Sequence, residues 1–281
     1  MEFQLPFQFN NLKKSKRKAI MKITIDNSKS VNKTDLENKI KAMYKKVAEK
    51  PNDTYHFEMG RTLAERLGYD PYILDLIPAE AIDSFAGVGH YFDFADLKCG
   101  ESVVDFGSGS GMDAFYAAEK IGKNGKVIGI DMTLEQLKKA IELKHKSDYN
   151  QVDFIESYIE KTPLSSNTFD VATSNGVINL SREKEAVFIE MGRVLKPGGR
   201  LVISDIVSAK GFPSDITCNP TLWAACVAGA MQVDIYLNLI KSTGFEIIKV
   251  KENPYAFISD MAKGATRNYG IRSISLLAIK Q

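Results

Sequence analysis

Hydrophobic positions in the first hundred residues recur with helical spacing. In TDLENKIKAMYKKVAEK (34–50), Leu36, Ile40, Met43, Tyr44 and Val47 fall on one face, Thr34 offers a cap, and Pro51 stops the run. FEMGRTLAERLGYD carries a second helical pattern that closes near Gly68 and Pro71. PAEAIDSFAGVGH carries a third, starting at Pro78 and broken at Gly87 and Gly89. Residues 34–98 are therefore expected to form a helical cover, with loops placed to close over a site.

From residue 100 the pattern changes to short apolar runs separated by longer amphipathic ones. ESVVDF, KVIGIDM, VDFIES and FDVATSN read as strands, with MDAFYAAEKIG, TLEQLKKAIELKHK (capped by Thr133) and SREKEAVFIEMGRVL as helices. A PGG turn then leads into RLVISDIV. Strands and helices of these lengths in alternation predict a parallel sheet covered on both faces. An insertion at 208–243 interrupts the rhythm, and FEIIKV and ISLLAIK follow as strands joined by a long, partly helical connection. The expected fold class is α/β: a three-layer α/β/α sandwich over 99–281, with a seven-stranded, mostly parallel sheet whose last strand is antiparallel.

Composition narrows the setting. With 44% hydrophobic and 26% charged residues, the chain reads as soluble and globular rather than disordered. It contains no apolar run of membrane-spanning length, so stable membrane insertion is not expected. The opening MEFQLPFQFNNLKKSKRKAI lacks the apolar core and cleavage site of a secretory signal, and MKITIDNSKS after it is a plausible start in its own right. Residues 1–33 read as a basic leader, with disorder one expectation for it. Residues 1–50 hold thirteen Lys or Arg against five Asp or Glu, whereas the remainder holds 24 against 30. The part bearing the chemistry is mildly acidic, which gives a nucleic-acid substrate no support. Cys99, Cys218 and Cys226 form no close pair, so neither a disulfide framework nor a cysteine zinc site is expected, and a reducing cytoplasm is the natural setting.

The densest chemical signal is VVDFGSGSG (103–111). Gly107, Gly109 and Gly111 let a strand turn sharply and approach a ligand before a helix begins. Asp131, at the end of KVIGID, offers a carboxylate to both hydroxyls of an adenosine ribose. A dinucleotide and S-adenosylmethionine both use this geometry. Asp105, just before the loop, separates them: it disfavours a pyrophosphate and suits the cationic methionine end of S-adenosylmethionine.

VVDFGSGSG, VIGIDMT, SNGVINL and RVLKPGGRLVISDIV together resemble the class I S-adenosylmethionine-dependent methyltransferases. GVGH (87–90), the IEKTP segment, SNGVINLSREKEAVFIEMGRVLKPGG and WAACVAGAM narrow the resemblance to the arsenite methyltransferases, over about residues 55–250. The resemblance implies a Rossmann-like sheet. It makes Asp105, Gly107, Ser108, Gly109 and Gly111 the wall around the methionine end of the donor. Asp131 and Met132 would hold ribose and adenine, Tyr158 and Ile159 would flank the adenine, and Asn175 would mark the edge where donor meets acceptor.

That family holds trivalent arsenic through cysteine thiolates, soft ligands for a soft acceptor. At the positions the resemblance assigns to those cysteines, this chain has Val88, Gly176 and Cys226, so one of three is kept. The expectation is methyl transfer to a small-molecule acceptor other than arsenite, with the insertion at 208–243 as an acceptor lid. Arsenite methylation through Cys226 and other thiols, and a non-catalytic S-adenosylmethionine-binding protein, are the alternatives. His90, in a glycine-rich loop, is the candidate general base, with Asp205 at the end of strand five to orient it or a polar group. Asn175 and Cys226 complete the candidate catalytic set. ENPY (252–255) is similar to a motif of nucleic-acid amino-methyltransferases, but it follows a late strand rather than the fourth and reads as a turn.

Overall fold

Val103 and Val104 show how the sheet is built. They are adjacent in sequence, fully buried, and packed into different cores on opposite faces of the sheet. The same alternation separates Val127 from Ile128 and Val202 from Ile203. A strand buried on both faces needs helices on both sides, and the chain supplies them.

The computed structural model describes residues 32–217, 223 and 227–281. Residues 218–222 and 224–226, with Cys218 and Cys226 among them, and the leader up to residue 31 lie outside the described residues. The strands are β1 (Ser102–Phe106), β2 (Lys126–Asp131), β3 (Val152–Glu156), β4 (Phe169–Asn175), β5 (Leu195–Ser208), β6 (Met231–Gln232), β7 (Phe245–Glu252) and β8 (Arg272–Lys280). They form one sheet in the order β3-β2-β1-β4-β5-β8-β7, with β6 paired to the end of β5. β1 to β5 run parallel, and β8 lies antiparallel between β5 and β7. The seven expected strands are present with the last one antiparallel. The two-residue β6, inside the expected insertion, is an addition the sequence did not announce.

The helical cover comprises α1 (Lys33–Glu49), α2 (Gly60–Leu67), α3 (Pro71–Leu74), α4 (Ala79–Asp83) and α5 (Phe92–Ala95). Asn32, not Thr34, caps α1, its side chain accepting from the amides of Thr34 and Asp35. α4 stops at Asp83, four residues before the glycine break, so Gly87 to Gly89 belong to a loop instead of a helix end. Side chains from α2 to α5 share a core with α6 (Met112–Ile121), which is buried between cover and sheet. α7 (Leu134–Lys146) follows β2 and packs against α1. On the opposite face lie α8 (Lys184–Val194) and α10 (Val233–Ser242), with Val187, Phe188, Met191, Tyr236 and Ile240 in the second core. α9 (Ser214–Thr217) and α11 (Asp260–Tyr269) complete the helices used here. The PGG turn lies inside β5: Leu195 pairs with Phe169 and Arg200 with Val171, and the residues between them loop out of register.

Candidate active site

The carboxyl ends of β1, β2 and β4 open into a cleft of about 1160 Å³ roofed by α1. Crevices at these strand ends are where open α/β sheets bind ligands. The loop after β1 is pinned to β2, since the amides of Gly107 and Ser108 both donate to the Ile130 carbonyl, at 2.7 and 2.8 Å. Gly107 has φ +80°, and a Cβ there would lie 2.6 Å from Val177 Cγ1 and 2.9 Å from its Cβ. No larger residue fits without moving the segment after β4. Ser108 Oγ lies buried without a hydrogen-bond partner among the described residues.

Asp131 is fixed by two backbone donors, Thr133 N at 2.8 Å to Oδ1 and Gly109 N at 3.0 Å to Oδ2. Burial raises its pKa, while these amides oppose the shift by favouring the carboxylate. Each oxygen keeps a lone pair for a ligand hydroxyl. Met132, Tyr158 and Ile159 line the same part of the cleft, facing Leu36, Ile40 and Tyr44 of α1. Tyr158 is tied to that helix, its hydroxyl accepting from Lys41 Nζ at 3.0 Å and donating to Glu37 at 3.3 Å. Lys33 forms an ion pair with Glu183 across the cleft mouth.

At the other end two carboxyls are buried together. Asp105 accepts from Thr173 Oγ1 at 2.9 Å. Asp113, in the first turn of α6, accepts from the hydroxyls of Tyr69 at 2.5 Å and Tyr91 at 3.0 Å, and from Asn175 Nδ2 at 3.0 Å. Desolvation pushes both acids up, and the charge of Asp113 raises Asp105 further. Neither is in an ion pair with a basic side chain among the described residues. Asp113 was not among the residues singled out from the sequence. An acid in a first helical turn reads locally as a dipole partner, and its tyrosine donors come from the distant cover.

Asn175 lines the cleft with its amide fully engaged. Its Oδ1 accepts from Val88 N (2.8 Å) and Gly89 N (3.3 Å), and its Nδ2 also reaches Gly89 O (2.9 Å) and Tyr69 OH (3.1 Å). It joins the GVGH loop to Asp113. The structure brings Asp105, Gly107, Ser108, Gly109, Asp131, Met132, Tyr158, Ile159 and Asn175 to one cleft, while Gly111 supports the loop behind it with φ +92°.

The candidate base and its partner fall elsewhere. His90 is 3% exposed and outside the cleft lining, its ring 4.6 Å from that of Tyr69 and its Nδ1 3.6 Å from Asp93. Burial lowers its pKa, and its ring packs among Tyr69, Phe92 and Tyr116 rather than lining the cleft. The glycine-rich loop suggests a histidine placed over the site, but aromatic rings enclose the side chain. Asp205 is also buried and outside the lining, taken up by Asn179 Nδ2 (2.6 Å), Tyr236 OH (2.8 Å) and Ile206 N (2.8 Å). Its carboxylate fixes Asn179 and Tyr236 to the end of β5. Cys99 is exposed before β1.

Val88 and Gly176 are neighbours. A Cβ built on Gly176 would lie 3.8 Å from Val88 Cβ and 3.1 Å from its Cγ1. Val88 is 2% exposed and joins Ile206, Val227, Ala230 and Ile271 in an apolar cluster. The two positions that the resemblance assigns to cysteines thus adjoin, at a Cβ separation suited to a thiol pair, and hold apolar matter.

A family described as "Methyltransferase domain" matches residues 97–244, more than half of the chain, and the protein belongs to it. More narrowly, it is 41% identical over 199 residues to the arsenite methyltransferase of Halobacterium salinarum, a match covering 70% of this chain and 51% of that one. It is 36% identical over 152 residues to the human arsenite methyltransferase, covering 51% and 40% of the two chains. Among solved structures, an arsenic (III) S-adenosylmethionine methyltransferase from Chlamydomonas reinhardtii superposes with a TM-score of 0.62 at 28% identity, covering 79% of this chain and 74% of that one. The chain spans about half or less of the length of these curated relatives. Family and fold define a Rossmann-like methyltransferase domain whose methyl donor is S-adenosylmethionine. The cleft fits that donor: a glycine cradle, a free buried hydroxyl on Ser108, a fixed carboxylate at Asp131, and a buried acid pair with no protein cation among the described residues.

Proposed function

We propose that this chain transfers a methyl group from S-adenosylmethionine to a small-molecule acceptor that is not held by a thiolate cage. The donor supplies an electrophilic methyl on a sulfonium. Asp131 would receive the ribose hydroxyls, and Met132, Tyr158 and Ile159 would lie beside the adenine. Asp105 and Asp113 face the α-ammonium at the methionine end. Asn175, its own polar atoms committed, fixes the edge past which an acceptor must approach in line with the carbon–sulfur bond. Positioning of this kind supplies much of the rate in such transfers. The setting is cytoplasmic and the substrate is not a nucleic acid.

One observation carries the acceptor reading: the contact of Val88 with Gly176. The two positions that the resemblance assigns to cysteines hold a valine and a glycine, the glycine in the left-handed region at φ +74° where a side chain is strained. The names of the relatives favour a second reading, arsenite methylation, which would use Cys226 and other thiols. Tritium transfer from labelled S-adenosylmethionine, with arsenite and thiol in one arm and a panel of oxygen, nitrogen and carbon acceptors in the other, separates the two. The expected outcome is no methylated arsenic and no retention of phenylarsine oxide by the native chain, with retention gained in a Val88→Cys/Gly176→Cys variant. Methylation of arsenite by the native chain, lost in Cys226→Ser, overturns the proposal.

A further inference from the structure

A buried lysine sits behind the cleft wall in a role that donor binding does not obviously require. Lys184, the first residue of α8, is 5% exposed. Its Nζ donates to Ser181 O at 2.6 Å and Asn179 O at 3.0 Å, and faces the indole of Trp223 at 4.9 Å from the ring centroid. Both carbonyls belong to the turn at Ile178–Leu180 and its exit. Asn179 is gripped from the other side, where its Nδ2 donates to Asp205 at 2.6 Å, and Asp205 in turn accepts from Tyr236 of α10.

The turn is part of the donor cleft. Val177, Leu180 and Ser181 line it, and Val177 presses on Gly107 in the glycine loop. Leu180 also packs with Leu36 and Ile40 of the roof helix, and Trp223 lies against that cluster. The return of the insertion passes directly over the same turn, for a Cβ on Gly229 would collide with the carbonyl of Asn179 and lie 2.9 Å from Trp223 Cε3. Lys184 thus stands where the donor wall, the roof and the insertion meet.

Burying an ammonium is unfavourable unless it is paired and hydrogen-bonded, and apolar replacements of buried charges are often neutral or stabilising. We propose that Lys184 is a positioning residue for methyl-donor binding: its ammonium fixes the turn at 177–181 against the glycine loop and seats Trp223 on that turn. The charged groups facing it are Asp205 from β5 and Glu160 from the loop after β3, with Tyr236 behind Asp205. Burial lowers its pKa to about 8, against the attraction of Asp205 and Glu160, so the ammonium is lost as pH rises through that value. The neutral amine keeps two of its three donors, enough for both carbonyls, but loses the attraction to the indole and to Asp205.

Trp223 is the sole tryptophan in the chain, so its fluorescence reads this contact directly. In the native protein, emission should change with a midpoint near pH 8, and S-adenosylhomocysteine should bind more weakly above it. Lys184→Met should remove the emission transition and weaken S-adenosylhomocysteine about tenfold at neutral pH, a loss on the scale of one hydrogen bond to a charged group. Lys184→Arg should restore part of that affinity and show no transition near pH 8, because a guanidinium stays charged. The probe's own amino group titrates alike in all three proteins, so differences between them isolate Lys184. Should Lys184→Met fail to fold, the native transition and its absence in Lys184→Arg still decide. An emission transition that survives in Lys184→Arg, or native affinity in a folded Lys184→Met, overturns the proposal.

Discussion

Gly107→Ala tests how tightly the donor loop is set against the methyl-transfer edge. Two terms oppose the added methyl. The left-handed backbone, φ +80°, costs a residue with a Cβ about 1–2 kcal/mol. The contact with Val177, 2.6 Å to Cγ1 and 2.9 Å to Cβ, is overpacking and costs about 1–3 kcal/mol more. Together they amount to about 2–5 kcal/mol, or a factor of roughly thirty to several thousand in any equilibrium that needs the loop in place. The assay is denaturant unfolding paired with titration of S-adenosylhomocysteine, run on Gly107→Ala, Val177→Ala and the double variant. Removing the Val177 methyls should recover most of the overpacking while leaving the backbone cost of about 1–2 kcal/mol. Equal losses from Gly107→Ala whether Val177 is intact or truncated to alanine would refute the reasoning, as would a Gly107→Ala protein with native stability and affinity.

Two further outcomes concern the carboxylates. Asp131→Ala deletes the acceptor of the Gly109 and Thr133 amides together with the ribose ligand; S-adenosylmethionine affinity measured by calorimetry should fall at least tenfold, with far-ultraviolet circular dichroism retained. Asp105 and Asp113 both have raised pKa values in the folded protein, so the stability they contribute is present below the ordinary carboxylate range and lost as pH rises through the folded values. Donor binding has the opposite slope, because a cationic ammonium favours the ionised pair. Affinity should therefore rise with pH through the raised values, with proton release visible in buffers of different ionisation enthalpy, and Asp113→Asn should reduce that release.

Much of the fold was legible because its determinants are local. The strand, glycine loop and helix around Gly107, and Asp131 at the end of the next strand, follow from spacing along a few tens of residues. Side-chain direction across the fold was not. His90 sits in a glycine-rich loop, and nothing nearby in sequence says that its ring turns into Tyr69 and Phe92. Asp205 looked available at a strand end, yet Asn179 and Tyr236 consume it from two other elements. Asp113 and Lys184 were overlooked for the converse reason. Each occupies an ordinary position at a helix start, and its importance lies in Tyr69, Tyr91 and Trp223, contributed by remote segments.

The attachment of α1 has a kinetic consequence. The C-terminal half of the roof is held by buried Val47 and Ala48 and by bonds to its carbonyls from Gln136, Ser84 and Lys139. Several polar ties along it, by contrast, are exposed: Lys33 with Glu183, Lys45 with Glu135, and Lys41 with Tyr158. Exposed pairs of this kind contribute little to stability and weaken with salt. Lifting one helix exposes the nucleoside while the sheet, the glycine loop and the buried acids stay as they are. Turnover limited by donor exchange should then rise with ionic strength while single-turnover methyl transfer stays constant, which rapid-quench assays at several salt concentrations would check.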